Sequence, residues 1–427
     1  MISTLPDACR AAARRFGTPL YMYDLPRLTA DAAAIRRAFP DPWIRLYSLK
    51  ANGLPGLLQS LPSLGFGASA VSGGELELAR RAGFPAGQTV LEGIGKTGAD
   101  LRAAASLAEA GTPLLWVTVE SAAEAAALSE LVAAARAGRG RGSTRALRLN
   151  VLVRLNPGVQ PETHRGLAVG AAASKFGVLP EELPDVIAGG GGPRGPLRWR
   201  GIHIHIGSQL GAVDAWRSAF RLGLRLLNLQ RASLPDFDTL DAGSGFPVDH
   251  GEPTTVPSPA RFAEEAEAEL AALPAEARPL RLAIEPGRSV VARSGWLVGS
   301  VLHVRERDGR SVVLDAGMTE LLRPALYGAQ HPMVALTSMG TAVEPGSDGT
   351  AWPTVRVDGP ICESTDRLGS ERLPPLARGD LVAIGVAGAY GSSMASSYNG
   401  RPRPPEVAWD GERLRLLRRR GSAAGLP

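Results

Sequence analysis

Residues 44–53 read Ile44-Arg45-Leu46-Tyr47-Ser48-Leu49-Lys50-Ala51-Asn52-Gly53, a run of strand formers that ends on a lysine and breaks at once into loop residues. A run this short and apolar fits a strand buried on both faces, and such strands pair in parallel with crossover helices between them. The unit recurs: apolar runs at 43–49, 66–71, 89–94, 114–119, 149–155, 201–206, 239–242 and 280–284 alternate with Ala/Leu/Glu-rich stretches of helical spacing at 74–82, 99–110, 121–135, 213–231 and 259–273. About eight such units in succession predict an α/β fold, a closed TIM-like (β/α)8 barrel.

In such a barrel the functional groups collect at the carboxyl ends of the strands. Here the runs end in Lys50, Ser72-Gly73, Gly95-Lys96, Glu120, Asn156, His205 with Gly207-Ser208, Gly243-Ser244-Gly245 and Glu285-Pro286-Gly287-Arg288, which are predicted to converge on one mouth. After Glu285, helical spacing gives way to alternating runs at 290–304, 311–315, 352–357 and 381–386, the pattern of a C-terminal β-rich domain. The run 19–23 precedes the first barrel unit and supplies that domain with one more strand. The predicted organisation is therefore an N-terminal segment (1–30), a barrel (31–289) and a β-rich domain (290–427). Two stretches without periodic apolar residues, 136–144 and 189–195, read as loose insertions.

Composition bounds the function. With 427 residues, 44% of them hydrophobic and 21% charged, the chain can bury a large core. No apolar stretch approaches the roughly 20 residues that span a bilayer, and the first 15 residues lack the basic-then-apolar layout of a signal peptide, so a cytoplasmic location is expected. Two cysteines, Cys9 and Cys362, are too few for a disulfide framework and are expected to be reduced. The net charge of +5 is modest, and Arg413, Arg415 and Arg418-Arg419-Arg420 read as a solvated face or tail. That run has no interleaved aromatic residues, which argues against nucleic-acid binding.

Each candidate residue carries a bland reading beside a chemical one. Lys50 is either an ordinary strand-flanking lysine or an amine whose partial desolvation favours the neutral nucleophile that condenses with an aldehyde. Gly243-Ser244-Gly245-Phe246-Pro247 is either a tight turn or a loop whose backbone N–H groups close around a phosphate. His203 and His205 lack the third ligand a catalytic zinc needs, so no metal is expected; a histidine here is either satisfied in the core or laid flat on an aromatic ring. Glu285 ends an apolar strand, where it either pairs with an arginine such as Arg288 or faces a pyridine nitrogen. Cys9 reads as packing. Cys362 stands among groups that titrate, Glu363 and Asp366, which raises it above packing.

Together these motifs resemble the fold-type III pyridoxal-phosphate decarboxylases, and within that family the diaminopimelate decarboxylases, over nearly the whole chain. Tyr47-Ser48-Leu49-Lys50-Ala51-Asn52 is similar to the family's lysine motif, which implies that Lys50 carries pyridoxal 5'-phosphate covalently. Ser72-Gly73-Gly74-Glu75-Leu76 and Ser174-Lys175-Phe176-Gly177 are similar to further family blocks. In His203-Ile204-His205-Ile206-Gly207-Ser208-Gln209 the resemblance implies that His205 stacks on the cofactor ring and Ser208 helps bind its phosphate. It likewise implies that Glu285 meets the pyridine nitrogen, that Arg288 contacts substrate or phosphate, and that Tyr390 lies at the phosphate with a part in substrate binding. Arg323-Pro324-Ala325-Leu326-Tyr327 looks like the block in which the arginine and tyrosine bind a substrate carboxylate. Cys362-Glu363-Ser364 resembles the stretch that a second subunit inserts, the cysteine for proton transfer and the glutamate for the distal amine of diaminopimelate. A homodimer acting on an amino acid is implied.

The chain also departs from the family's pattern. Ser244 replaces the middle of three glycines, so a side chain there either shifts the loop or adds a hydroxyl ligand. Val169-Gly170 stands where Thr-Gly is usual, and Leu91-Glu92-Gly93-Ile94-Gly95-Lys96 is atypical. These changes leave open a decarboxylase of a different diamino or carrier-bound amino acid. A racemase of this architecture is expected to place an arginine where Glu285 stands. A non-catalytic homologue is expected to have lost Lys50 or the Cys362 segment.

Overall fold

The computed structural model describes residues 4–138, 148–250, 255–279, 281–307, 309–336 and 352–422. Two compact units emerge. One is Ala32–Pro247 with Val256–Gly287; the other gathers the N-terminal residues through Asp31, the segment from Val248 to His250, and everything from Arg288 onward.

The first unit is the barrel. Eight parallel strands, Ile44–Ser48, Gly67–Ala70, Thr89–Leu91, Trp116–Val119, Leu149–Leu155, Leu197–Ile204, Thr239–Asp241 and Arg281–Ile284, close on themselves, with Ile44 paired to Ala283. Their interior is filled by Leu46, Val90, Trp116, Leu152 and Ala283, all buried, so the barrel is a packed core whose function must lie at a rim. The crossover helices start where the sequence offers caps. The Ser72 hydroxyl accepts from the Glu75 N–H at the start of Gly73–Ala82, and Thr97 with Asp100 forms a full capping box on Gly98–Glu109. The Ser72-to-Glu75 block is therefore a helix start, with the Glu75 carboxylate accepting from the Val71 N–H (2.9 Å).

The second unit is a nine-stranded sheet ordered Arg367–Arg372, Thr354–Asp358, Arg310–Leu314, Gly295–Glu306, Leu20–Asp24, Glu406–Trp409 and Leu414–Arg418, with Leu381–Ile384 joining Met333–Leu336 to the long strand Gly295–Glu306. Leu20–Asp24 runs antiparallel to Gly295–Glu306 and parallel to Glu406–Trp409, which ties the N-terminal segment into this sheet. The helix Leu5–Phe16 lays Ala8, Cys9 and Ala12 on Leu20, Met22, Val298 and Val407. Burial pushes the Cys9 thiol up to about 12, as befits a packing residue.

Two expectations change and one open reading is decided. The apolar run predicted as one strand over 290–304 begins with a buried helical turn, Arg288–Val291, and becomes strand only at Gly295; short apolar runs do not by themselves separate the two states. The basic run near the C-terminus is the solvated face of the two readings rather than a tail. Leu414–Arg418 is a charged edge strand, and Arg418 ion-pairs with the buried Glu406. Of the two predicted insertions, residues 136–138 of the first instead close the helix Ala122–Gly138, and 139–144 lies outside the described residues. Residues 189–195 form an ordered turn that closes on the Trp199 indole, whose Nε1 donates to the Gly192 carbonyl (3.2 Å).

Candidate active site

Lys50 lies in the single turn Leu49–Ala51 that follows the first barrel strand. The turn is clamped on both sides. The Ser48 N–H donates to the Pro286 carbonyl (3.2 Å), the Ser48 hydroxyl to the Glu285 carbonyl (3.0 Å), and the Tyr47 hydroxyl to the Asn52 carbonyl (3.0 Å). The lysine side chain keeps 36% of its surface exposed, so its amine is held by a rigid base yet open to a reactant.

Glu285 follows the last strand and is fixed from two directions. Its N–H donates to the Gly243 carbonyl (2.8 Å), and its own carbonyl accepts from the hydroxyls of Ser48 and Ser244 (2.7 Å from the latter). The Ser244 hydroxyl is thus engaged within the fold. The Glu285 side chain is buried, with Oε2 3.1 Å from His203 Nε2 and Oε1 without a hydrogen-bond partner. Burial pushes this carboxyl well above the ordinary range, and the neighbouring Glu92 pushes it further.

Around Glu285 the fold assembles an acid–imidazole cluster. Carboxylate oxygens of Glu92 and Glu285 and a ring nitrogen of His203 lie within 4.8 Å of one another. Asp241, at the end of its strand, is fully buried; Oδ1 accepts from the Gly243 N–H (2.9 Å), Oδ2 has no partner, and burial followed by the Glu285 charge raises its carboxyl well above the ordinary range. His203 is pushed down by burial. His205 is pushed well below its ordinary value by desolvation and then by the charges of Lys50 and Arg154, so both imidazoles are neutral at neutral pH. The Ser244 N–H donates to His205 Nδ1 (3.4 Å), which leaves the ring proton on Nε2. The two histidines do not act as a pair. Asp241 is the residue that sequence reasoning passes over, although a carboxylate closing an apolar strand is the same signal that singles out Glu285.

The loop after Asp241 needs its glycines. Gly243 has φ +59° and a Cβ there would stand 2.3 Å from the Ile204 carbonyl oxygen; Gly245 has φ +111° and its Cβ would stand 2.5 Å from the Gly207 carbonyl oxygen. Gly243→Ala is expected to lower stability by about 2 kcal/mol through αL strain and the backbone clash together, read as a drop in thermal midpoint, and to weaken phosphate-dependent cofactor binding in a fluorescence titration. Ser208 continues the same rim, its N–H donating to the Leu167 carbonyl (3.2 Å). Below it, Arg154 pairs with Glu120 (3.2 Å) and stacks on Phe176, while Glu120 also accepts from the Gly177 N–H (2.9 Å), which gives the Ser174-to-Gly177 block a supporting role.

The β-rich unit carries a second group of predicted residues. Arg288 is buried and stacks over the Tyr390 ring (4.8 Å), and Tyr390 holds φ +57°, a strained backbone for a residue with a side chain. Arg323 is buried in the first turn of the short helix Arg323–Tyr327, where burial and then the Arg288 charge lower its guanidinium to about 10. Its Nη1 donates to His331 Nε2 (2.9 Å), and His331 Nδ1 donates to the Gly385 carbonyl (2.9 Å). Burial holds His331 down to about 3, so it stays neutral and fixes the arginine; His250 packs edge-on against it. Nothing local in the sequence marks these two histidines. Cys362 and Glu363 are exposed in this unit, steadied by Asn399 and by the Tyr398 hydroxyl, which donates to Glu363 (2.8 Å). Asp366 instead turns inward and accepts from the N–H groups of Met318 and Ile361 (2.6 Å each), so it shapes the loop rather than titrating beside Cys362.

The sequence model for the pyridoxal binding domain of pyridoxal-dependent decarboxylases matches residues 25–292. The chain belongs to the pyridoxal-dependent decarboxylases. It is 37% identical to the diaminopimelate decarboxylase of Deinococcus radiodurans, over 97% of this chain and 96% of that protein. The crystal structure of diaminopimelate decarboxylase from Helicobacter pylori complexed with L-lysine superposes with a TM-score of 0.84 at 30% identity, covering 97% of each chain. A lysine/ornithine decarboxylase from Vibrio vulnificus, complexed with putrescine, shares the fold at 24% identity and a TM-score of 0.75, over 95% of this chain and 98% of that one. The family's pyridoxal phosphate fits what the barrel offers: an amine at the rim, a buried Glu285 oxygen lacking a partner, and a glycine cradle that any Cβ would fill.

Proposed function

We propose that this pyridoxal-dependent decarboxylase removes one carboxylate of meso-diaminopimelate as carbon dioxide and yields L-lysine. The observation that carries the reading is the likeness, end to end, to diaminopimelate decarboxylases, together with a buried Glu285 carboxyl and a part-exposed Lys50 amine that each follow a barrel strand. When bound, pyridoxal phosphate supplies an electron sink for the pair left by the departing carboxylate. Lys50 Nζ is the amine that would hold it covalently. The Glu285 carboxyl would face the ring nitrogen, neutral His205 would face the ring, and Ser208 with the loop Gly243-Ser244-Gly245 would hold the phosphate, the Gly243 and Ser244 N–H groups being engaged by Asp241 and His205.

Within the β-rich unit, Arg288 and Tyr390 would contact phosphate or substrate, and Arg323 and Tyr327 a substrate carboxylate. The exposed Cys362 would supply a proton to the substrate and Glu363 would receive the distal ammonium, both offered to a second copy of the chain in a homodimer. A cytoplasmic location belongs to the same reading; among the described residues no helix is long and apolar enough to cross a membrane.

Carbon dioxide release from a panel of meso-diaminopimelate, lysine, ornithine and carrier-bound amino acids tests the proposal. Release from diaminopimelate alone supports it, release from another substrate reassigns the pocket, and a change of chirality without gas marks a racemase. Glu363→Gln is expected to raise KM for diaminopimelate about tenfold, the loss of one charge-assisted hydrogen bond, with the cofactor spectrum unchanged. Unaltered turnover of diaminopimelate by this variant would sink the assignment of Glu363.

A further inference from the structure

Glu92 is the acid for which the family reading offers no task. It follows the third barrel strand, its N–H donates to the Ala70 carbonyl (2.8 Å), and its side chain is 2% exposed as a residue. A buried carboxylate is costly unless it is paired. Two contacts partner its Oε1, the Ser69 hydroxyl donating to it (2.7 Å) and Lys50 Nζ at 3.9 Å, while His203 Nε2 lies 3.3 Å from Oε2, which accepts no hydrogen bond among the described residues. The same His203 nitrogen is 3.1 Å from Glu285 Oε2, so one imidazole N–H stands between two carboxyls and cannot satisfy both as anions.

The charges facing Glu92 decide which acid ionises. Lys50 and Arg154 are the cations, and Arg154 is committed to Glu120. The acids are Glu75, Asp241 and Glu285, with His203 and His205 neutral. The two fully buried carboxyls that share the His203 N–H cannot both hold a charge without a further partner. Glu92 has the hydroxyl donor and the nearest ammonium.

We propose that Glu92 is a positioning residue whose carboxylate anchors the Lys50 ammonium and, across His203, keeps the proton of the carboxyl pair on Glu285. The inference rests on the role given to Lys50 above. Burial opposes ionisation of Glu92, yet the neighbouring His203 imidazole, which offers an N–H rather than a charge, and the Lys50 ammonium hold its carboxyl below the ordinary range, in agreement with the geometry.

The test titrates Lys50 itself. In full-length protein freed of cofactor, acetic anhydride labelling of the Lys50 peptide is followed against pH by mass spectrometry, and in the loaded enzyme the visible absorbance is titrated in parallel. Glu92→Gln removes a unit charge about 4 Å from the amine and is expected to lower both midpoints by about one pH unit, while Glu92→Asp keeps the charge and stays within about half a unit of the parent. An unchanged midpoint in Glu92→Gln overturns the proposal. Should that variant not fold, the parent protein labelled with 13C at the glutamate carboxyls decides the matter: a protonated glutamate at neutral pH that disappears in Glu285→Gln supports the pair, and a full set of ionised glutamates refutes it. Because the labelling needs no cofactor, the result stands apart from the family reading, which would fail if Lys50→Ala kept its cofactor absorbance.

Discussion

Lys50→Ala yields a folded protein that releases carbon dioxide at least about a thousandfold more slowly, the scale of losing a positioned proton carrier and covalent anchor together, and that loses the visible absorbance of covalently held cofactor. The expectation is sharp because the chain contains only three lysines. Lys96 is fully buried and ion-paired with Glu124 (3.0 Å), and Lys175 lies over the Phe176 ring (5.2 Å). Neither can substitute at the rim. The clamp made by Ser48, Tyr47, Pro286 and Glu285 is all backbone and hydroxyl, so the turn survives the truncation. What changes is the local charge: Glu92 loses its nearest cation, and a modest drop in thermal midpoint at neutral pH accompanies the loss of activity. Stopped-flow absorbance after mixing with pyridoxal phosphate, beside a carbon dioxide assay, reads both effects; retention of either one refutes Lys50 as the anchor.

The barrel was legible because most of its strands are buried on both faces and therefore appear as short, largely apolar runs, and because its helices carry caps such as Ser72 and Thr97 that mark their starts. The β-rich sheet was only half legible. Glu406–Trp409 owes its place to parallel pairing with Leu20–Asp24, nearly four hundred residues away, and Leu414–Arg418 mixes leucine with arginine in a way that a solvated face shares. Lys50 and Glu285 were legible for one reason: a charged residue closing an apolar strand costs energy that only a partner or a ligand returns. By that rule Asp241 was equally visible. His250 and His331 were not, since their value lies in bringing neutral rings against Arg323, and only the fold puts residues 250, 323 and 331 together. Tyr398 and Asn399, which steady the Cys362 segment, are of the same kind.

Glu285→Gln separates catalysis from stability. The amide keeps the shape and the 3.1 Å approach to His203 but can neither hold nor yield the carboxyl proton, so decarboxylation is expected to fall about 10²- to 10³-fold, comparable to removing one preorganised charge-stabilising group. Stability should move the other way. In the cofactor-free protein, burial and then Glu92 raise the Glu285 carboxyl above its value in the unfolded chain, so the folded state binds a proton that the unfolded state gives up. Its contribution is fully present below the ordinary carboxylate range and is lost as pH climbs through the raised value. Glutamine has no proton to lose. The variant is therefore expected to melt above the parent at pH 8 and to converge with it near pH 5, while Glu92 is relieved of a like-charged neighbour. Scanning calorimetry across that range tests the sign: a parent protein that gains stability toward pH 8 relative to the variant would mean that Glu285 is ionised in the empty barrel, and that its proton does not come from the fold.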